Sequence, residues 1–289
     1  MRLLVIANTA GIMTPVAKYM NENGHEVRIV QRRAFDEFGL TQESGCGILV
    51  DTPSELYKEV RSLVDEFRPD VIHVNSIIRG LVVARYYAPS IPIVFTYCGT
   101  DVRGRKKPHP EISLADLVTV ASPDLQQYGL WMDRAIDPMF HYRQNRVEDT
   151  ALGIYADYWL KDTRPLMQEW CDTRGVQLTL IDRTESDYRP ISHHHMPTIL
   201  SSFEYFLDFK GHEKELYALS RTAIEAIACG CKVIHDSDLD REITEYAFVH
   251  PVSYLDMYRG LMPPSRGKRL QRYGRFMLTV FKWLSGRLT

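Results

Sequence analysis

Short apolar runs, each one strand long and each followed by a turn or an amphipathic segment, constrain this chain more than any other feature. Leu3–Ala7 is the first, and an unbroken apolar run of that length is what a parallel strand covered on both faces requires. After the turn Asn8-Thr-Ala-Gly11, Ile12, Val16 and Met20 recur at helical spacing, Asn23-Gly24 ends the helix, and Glu26–Val30 is the next strand. The chain therefore opens with a βαβ unit of Rossmann type. Its first turn has a single glycine, Gly11, which is not a dinucleotide fingerprint and argues against NAD. Further on, Thr52-Pro-Ser-Glu55 reads as a capping box ahead of Leu56, Val60, Leu63, Val64 and Phe67 on one helix face. Strands follow at Val71–Val74, Ile93–Thr96 and Leu117–Ala121; His73, inside one of them, reads as a satisfied core histidine rather than a catalyst.

With 289 residues, 45% of them hydrophobic, the chain can bury a large core, and its length suggests two domains. A formal net charge of -2 gives no reason to expect nucleic acid as a partner. Five cysteines without disulfide or zinc spacing suggest a reducing compartment, and no run has the length of a membrane span or the form of a signal peptide. A cytoplasmic protein, free or on the cytoplasmic face of a membrane, is the expectation.

The most specific stretch is Leu219-Ser-Arg-Thr-Ala-Ile-Glu-Ala-Ile-Ala-Cys-Gly-Cys-Lys-Val-Ile234. Ser220 is a natural N-cap, Ala223, Ile224, Ile227 and Ala228 supply an apolar face, and Gly230 stops the helix before a strand at Lys232–His235. The amides of Ser220, Arg221 and Thr222 would lie at the helix N-terminus, where free N–H groups and the dipole favour an anion such as a diphosphate. Glu225 lies on the face of Arg221 and Thr222, one turn deeper, within reach of a ribose diol.

This segment resembles the signature of glycosyltransferase family 4, in its ending glutamate-Ala-x-Ala-Cys-Gly-x-x-Val-Ile. The resemblance implies a GT-B fold, two Rossmann-like domains of parallel sheets facing across a cleft. It also implies a sugar transferred from a nucleotide-diphosphate sugar to a hydroxyl acceptor, glycan or lipid-linked, with retention of configuration and no strict metal requirement. The family usually carries a glutamate eight residues before Glu225, where this chain has Tyr217. Arg68-Pro-Asp-Val-Ile-His73 and Ile136-Asp-Pro-Met-Phe140 resemble further phrases of the family, the second its interdomain crossing. Tyr97-Cys-Gly-Thr-Asp101 resembles a loop in which many relatives have histidine at the position of Cys98. Gly99, Thr100 and Asp101 remain, and Asp101 is expected either to orient the acceptor hydroxyl or to cap a helix. Lys161, after a strand at Ala151–Tyr155, matches by placement a lysine that binds the donor diphosphate, and its ammonium suits the charge that builds on a leaving group. A solvated lysine is the plainer reading, and Arg164 is an alternative.

The remaining expectations are weaker in chemistry. Gly11 is read as a plain turn or as part of a loop beside the donor. His194, in Ser192-His-His-His-Met-Pro197, is expected near the nucleotide base, with Tyr217 and Cys98 as other base or sugar contacts. Three consecutive histidines do not share a face as zinc-helix pairs do, and Asp236-Ser-Asp-Leu-Asp240 reads as a polar loop, so no metal site is assigned. The basic loop Arg103–Pro108 is a solvated face or an attractor for a phosphorylated acceptor. Domains are expected at 1–145 on the acceptor side, 146–262 on the nucleotide-sugar side, and a basic tail at 263–289. That tail carries Arg266, Lys268, Arg269, Arg272, Arg275, Lys282 and Arg287 with no acidic residue, which fits packing back on the first domain or contact with an anionic membrane surface. A GT-B protein that binds a sugar nucleotide or glycan without transferring it is the alternative from another class, and a sugar-nucleotide epimerase is a third reading.

Overall fold

The computed structural model describes residues 1–36, 38–99, 101–103, 105, 107–141, 145–156, 162–209 and 219–261. Lys161, Tyr217, Thr100 and the tail at 263–289 lie outside the described residues. The chain divides into two compact units, one made of Met1–Ala135 with the segment from Val249, the other of Ile136–Phe248. The division thus falls earlier than 145/146, at the phrase Ile136–Phe140, and the chain returns to the first unit before residue 262.

The first unit is an α/β sandwich. In chain order it holds β1 (Arg2–Ile6), α1 (Thr14–Glu22), β2 (Glu26–Arg32), α2 (Leu40–Glu43), β3 (Gly47–Val50), α3 (Pro53–Glu66), β4 (Val71–Asn75), α4 (Ile78–Tyr87), β5 (Ile93–Tyr97), β6 (Leu117–Val120) and β7 (Leu130–Trp131). The strands form one parallel sheet in the order β3-β2-β1-β4-β5-β6-β7. Both faces are covered: Leu4 and Ile6 of β1 belong to one apolar cluster, Leu3 and Val5 to the other. This double burial is why β1 reads as an unbroken apolar run. The capping box forms as the sequence predicts, with the Thr52 hydroxyl accepting from Glu55 N at 3.1 Å and Glu55 Oε2 accepting from Thr52 N at 3.3 Å.

The second unit contains β8 (Val147–Tyr155), α5 (Arg164–Arg174), β9 (Gln177–Asp182), α6 (Met196–Leu200), β10 (Phe203–Asp208), α7 (Arg221–Ala228), β11 (Lys232–His235) and β12 (Asp238–Ile243). Its sheet runs β12-β11-β10-β8-β9, parallel except for β12. Two sequence expectations are corrected here. The strand expected at Ala151–Tyr155 begins four residues earlier, because Val147 already pairs with Phe203; Val147–Asp149 are exposed, which explains the polarity of Glu148 and Asp149. Asp238–Asp240 is not a loop but the start of an antiparallel edge strand, where one face can stay wet and carboxylates are tolerated.

The last described helix, α8 (Pro251–Gly260), packs on α1 with Tyr254, Leu255 and Tyr258 inside the first unit's core. There Tyr258 meets His73. His73 is fully buried, its Nδ1 2.6 Å from the Tyr258 hydroxyl and its Nε2 2.6 Å from Thr96 Oγ1, so it is the satisfied core histidine expected. Burial pulls its pKa from 6.5 down to about 3, so it is neutral in the folded chain. Because the unfolded chain takes up a proton near 6.5 and the folded one does not, the stability from neutral His73 is complete above pH 6.5. It is lost as pH falls toward 3, by at most about 1.4 kcal/mol per pH unit. Unfolding free energies from urea titrations between pH 7 and 4 should show this slope, and His73→Gln should flatten it.

Candidate functional site

In open α/β sheets ligands gather at the carboxyl ends of the strands, and each unit brings its candidate residues to that edge. In the second unit β10 ends at Asp208, whose Oδ2 accepts the amide of Ser220 at 2.8 Å. That bond fixes the start of α7. Ser220 is the N-cap, its hydroxyl accepting from Ala223 N at 3.0 Å, with Arg221 and Thr222 opening the first turn behind it. Gly230 follows the helix with φ +87°, a left-handed conformation that glycine takes without strain and that turns the chain into β11.

One turn below the tip lies Glu225, only 3% exposed. Its Oε1 accepts from Arg221 Nε at 2.7 Å and lies 2.9 Å from His193 Nε2; Arg221 Nη2 is 3.3 Å from the same ring nitrogen. Burial alone would raise the Glu225 carboxyl, but Arg221 and His193 outweigh it, and the group is held below the usual glutamate value. The structure therefore brings Ser220, Arg221 and Glu225 together as the spacing predicts and adds His193 and Asp208. His193 packs on Phe140, ring centroids 4.9 Å apart, in a 3₁₀ turn at His193–His195. Successive residues of such a turn point about 120° apart, so one histidine of the three faces Glu225 while His194 is exposed and bonds Ser192 at 2.7 Å. Sequence order alone does not say which of the three turns inward. Near the end of β8, Arg164 is clamped by Asp162 and Asp182, each at 2.7 Å, and lies 4.4 Å from the Tyr155 ring centroid, so its charge is already balanced.

In the first unit Gly11 sits in the turn after β1, where Ala7 (φ 65°) and Ala10 (φ 52°) also hold left-handed conformations. Such positions cost about 1–3 kcal/mol each for a residue with a side chain. Asn8 braces them: its Oδ1 accepts Met13 N at 2.9 Å and its Nδ2 donates to Thr14 Oγ1 at 2.9 Å. After β5, Asp101 caps none of the described helices; its two oxygens accept the amides of Cys98 at 3.0 Å and Gly99 at 2.8 Å and fix that loop. Gly99 suits this loop because its φ of 148° lies in a region that residues with a side chain rarely adopt. Arg103 pairs with Asp124 at 2.8 Å. Cys98 is half-buried, with Thr9, Ser76, Asp101 and Arg134 as its neighbours, and burial pushes its thiol up to about 12. It is a neutral thiol at physiological pH. Among the described residues no group of three or more histidines, cysteines or carboxylates could hold a metal ion. No described helix is long and apolar enough to cross a membrane.

No protein-family model matches the chain. No curated protein sequence matches it either. Solved structures do. The UDP-GlcNAc 2-epimerase of Methanocaldococcus jannaschii is 11% identical with a TM-score of 0.50, over 92% of this chain and 94% of that one. The UDP-GlcNAc 2-epimerase of Neisseria meningitidis bound to UDP-GlcNAc is 14% identical, TM-score 0.49, over 99% and 100%. The spinosyn forosaminyltransferase SpnP is 15% identical, TM-score 0.44, over 96% and 91%. At such identities the likeness shows the fold, which is GT-B, two α/β units built on parallel sheets.

Proposed function

We propose that this chain is a glycosyltransferase that moves a sugar from a nucleotide-diphosphate sugar to a hydroxyl acceptor, with retention of configuration. The observation that supports this most is the built end of α7, where a capped helix tip stands above a buried, ionised carboxylate. The tip suits the diphosphate and Glu225 the ribose hydroxyls, which donate to it. Lys161 would offset the charge on the departing diphosphate, and that phosphate would assist in deprotonating the acceptor. Asp101 shapes the loop after β5, and since each of its oxygens accepts only one of the two amides, a remaining lone pair would receive the acceptor hydroxyl. The acceptor is a glycan or a lipid-linked group, met in the cytoplasm or at its membrane face, with the basic tail as the contact to anionic lipid. Neither a metal nor a cofactor is required for this chemistry.

A second reading, a GT-B protein that binds a sugar nucleotide without transferring it, is favoured by Cys98, a thiol held neutral in place of a histidine. Thermal unfolding with UDP, GDP, CMP, ADP and NAD, with and without chelator, tests the common premise. A nucleotide at a hundred times its Kd adds roughly 2.7 kcal/mol, enough to move the midpoint by a few degrees. A chelator-insensitive shift from one nucleoside diphosphate supports the site; no shift, or one from NAD alone, removes it. Incubating the matching sugar nucleotide then separates the readings. Slow donor hydrolysis supports the transferase, an intact donor the binder, and free sugar inverted at its second carbon an epimerase.

A further inference from the structure

At the carboxyl edge of the first unit's sheet, buried hydrogen-bond acceptors are left over. Asn75, the last residue of β4, is fully buried, and its Nδ2 donates to the Ala7 carbonyl at 2.8 Å, so that carbonyl orients the amide. Its Oδ1 is then an acceptor, and among the described residues no donor reaches it. Gln31 repeats the arrangement near the end of β2. It is 1% exposed, its Nε2 donates to the Phe35 carbonyl at 3.2 Å, and its Oε1 accepts from none of the described residues. The two stand level, since each follows the residue that pairs with Ile6 of β1. Buried polar side chains normally have partners, so two such acceptors on one sheet edge call for an explanation.

Solvent is close to the first of them. Ser76, the next residue, is half-buried at φ 59°, and both Ser76 and Asp101 lie beside Cys98 after β5. On the other side of β4 stands β1, with left-handed Ala7 and Ala10 in the turn that follows it. A carboxamide oxygen takes a hydrogen and gives none, and it carries no net charge. It therefore suits a hydroxyl better than a phosphate or carboxylate oxygen. Two acceptors of this kind suit a molecule with several hydroxyls better than a simple alcohol. We infer that Asn75 is a specificity-determining residue for a neutral sugar or polyol, one hydroxyl of which enters past Ser76 and donates to Oδ1. The bond from Nδ2 to Ala7 holds that oxygen in place beforehand, so the ligand meets a preformed acceptor.

The proposed transferase is needed only to call this ligand the acceptor, and binding tests the site directly. Saturation-transfer NMR on the full chain, with UDP or whichever nucleotide shifts the unfolding midpoint present throughout, uses the methyl glycosides of glucose, mannose and N-acetylglucosamine, myo-inositol, and glucose 6-phosphate as probes. Wild type is compared with Asn75→Ala and Asn75→Asp; both lose the carboxamide N–H that meets Ala7, and only the aspartate keeps an acceptor oxygen. A neutral probe should bind the wild type, weaken by roughly 5–100-fold in Asn75→Ala and lose much less in Asn75→Asp. Replacing the hydroxyls of that probe one at a time by fluorine, which cannot donate, should weaken binding at one position. This series needs only the wild type, so it decides the matter if circular dichroism shows that a variant has lost its fold. Equal losses in the two variants, or full binding by every fluorinated analogue, make Asn75 a brace for Ala7 alone and overturn the inference. No binding of any neutral probe, or binding of glucose 6-phosphate only, overturns it too. In either case a nucleotide-induced shift of the unfolding midpoint leaves the proposed nucleotide-sugar site standing.

Discussion

Replacing Arg85 by methionine is expected to lower the unfolding free energy by ~3–5 kcal/mol, the cost of removing one partner from a buried ion pair. Arg85 is fully buried, although it comes from a helix of the first unit. Its Nη2 donates to Asp116 Oδ2 at 2.8 Å and to the Leu114 carbonyl at 2.8 Å, while Nη1 reaches the carbonyls of Pro89 at 3.1 Å and Ile91 at 2.9 Å. Asp116 also accepts the amide of Ile93, so the arginine ties the entry of β5 to the segment before β6. Methionine fills much of the volume but takes away the guanidinium's donors, so the buried Leu114 carbonyl and the Asp116 carboxylate lose its bonds in a largely buried place. The urea midpoint of the transition involving the first unit should fall while its slope stays constant. A loss below about 1 kcal/mol would mean that solvent enters and replaces the guanidinium.

If the proposed site is right, Glu225→Gln weakens the nucleotide that shifts the unfolding midpoint by roughly 10–100-fold, because the acceptor proposed for the ribose hydroxyls changes from charged to neutral. The amide keeps the shape of the site but not the charge facing Arg221, so the unfolding midpoint without ligand is measured beside the affinity. The pair of readouts matters. A large midpoint loss with unchanged affinity would make Glu225 a structural partner of Arg221 and His193 and remove the ribose from it.

The parallel strands were readable because burial on both faces leaves only apolar residues, as at Leu3–Ile6. Capped helices were readable for a related reason, since Thr52 and Ser220 announce helix starts by side-chain chemistry that acts within a few residues. What escaped depends on distant partners. Helix α4 lacks an apolar stripe, because Gly80 faces Ile6 closely and Arg85 is buried through acceptors far along the chain. Edge strands β3 and β12 have too little burial to leave a pattern. At the site, Arg221 and Glu225 were legible through helical spacing. His193 and Asp208 were not, because a fold must form before they reach α7.

The return of α8 to the first unit also sets an order of events during synthesis. His73 and Tyr258, which share a buried hydrogen bond, are 185 residues apart, so a ribosome adding about 5–20 residues per second separates them by roughly 10–40 s. Ile136–Phe248 is continuous and can fold as it emerges, whereas the unit that begins first must wait for α8 to cover its core. Until then the apolar side of α1 is a surface for chaperones to hold, and the earlier-born unit is the later one to mature.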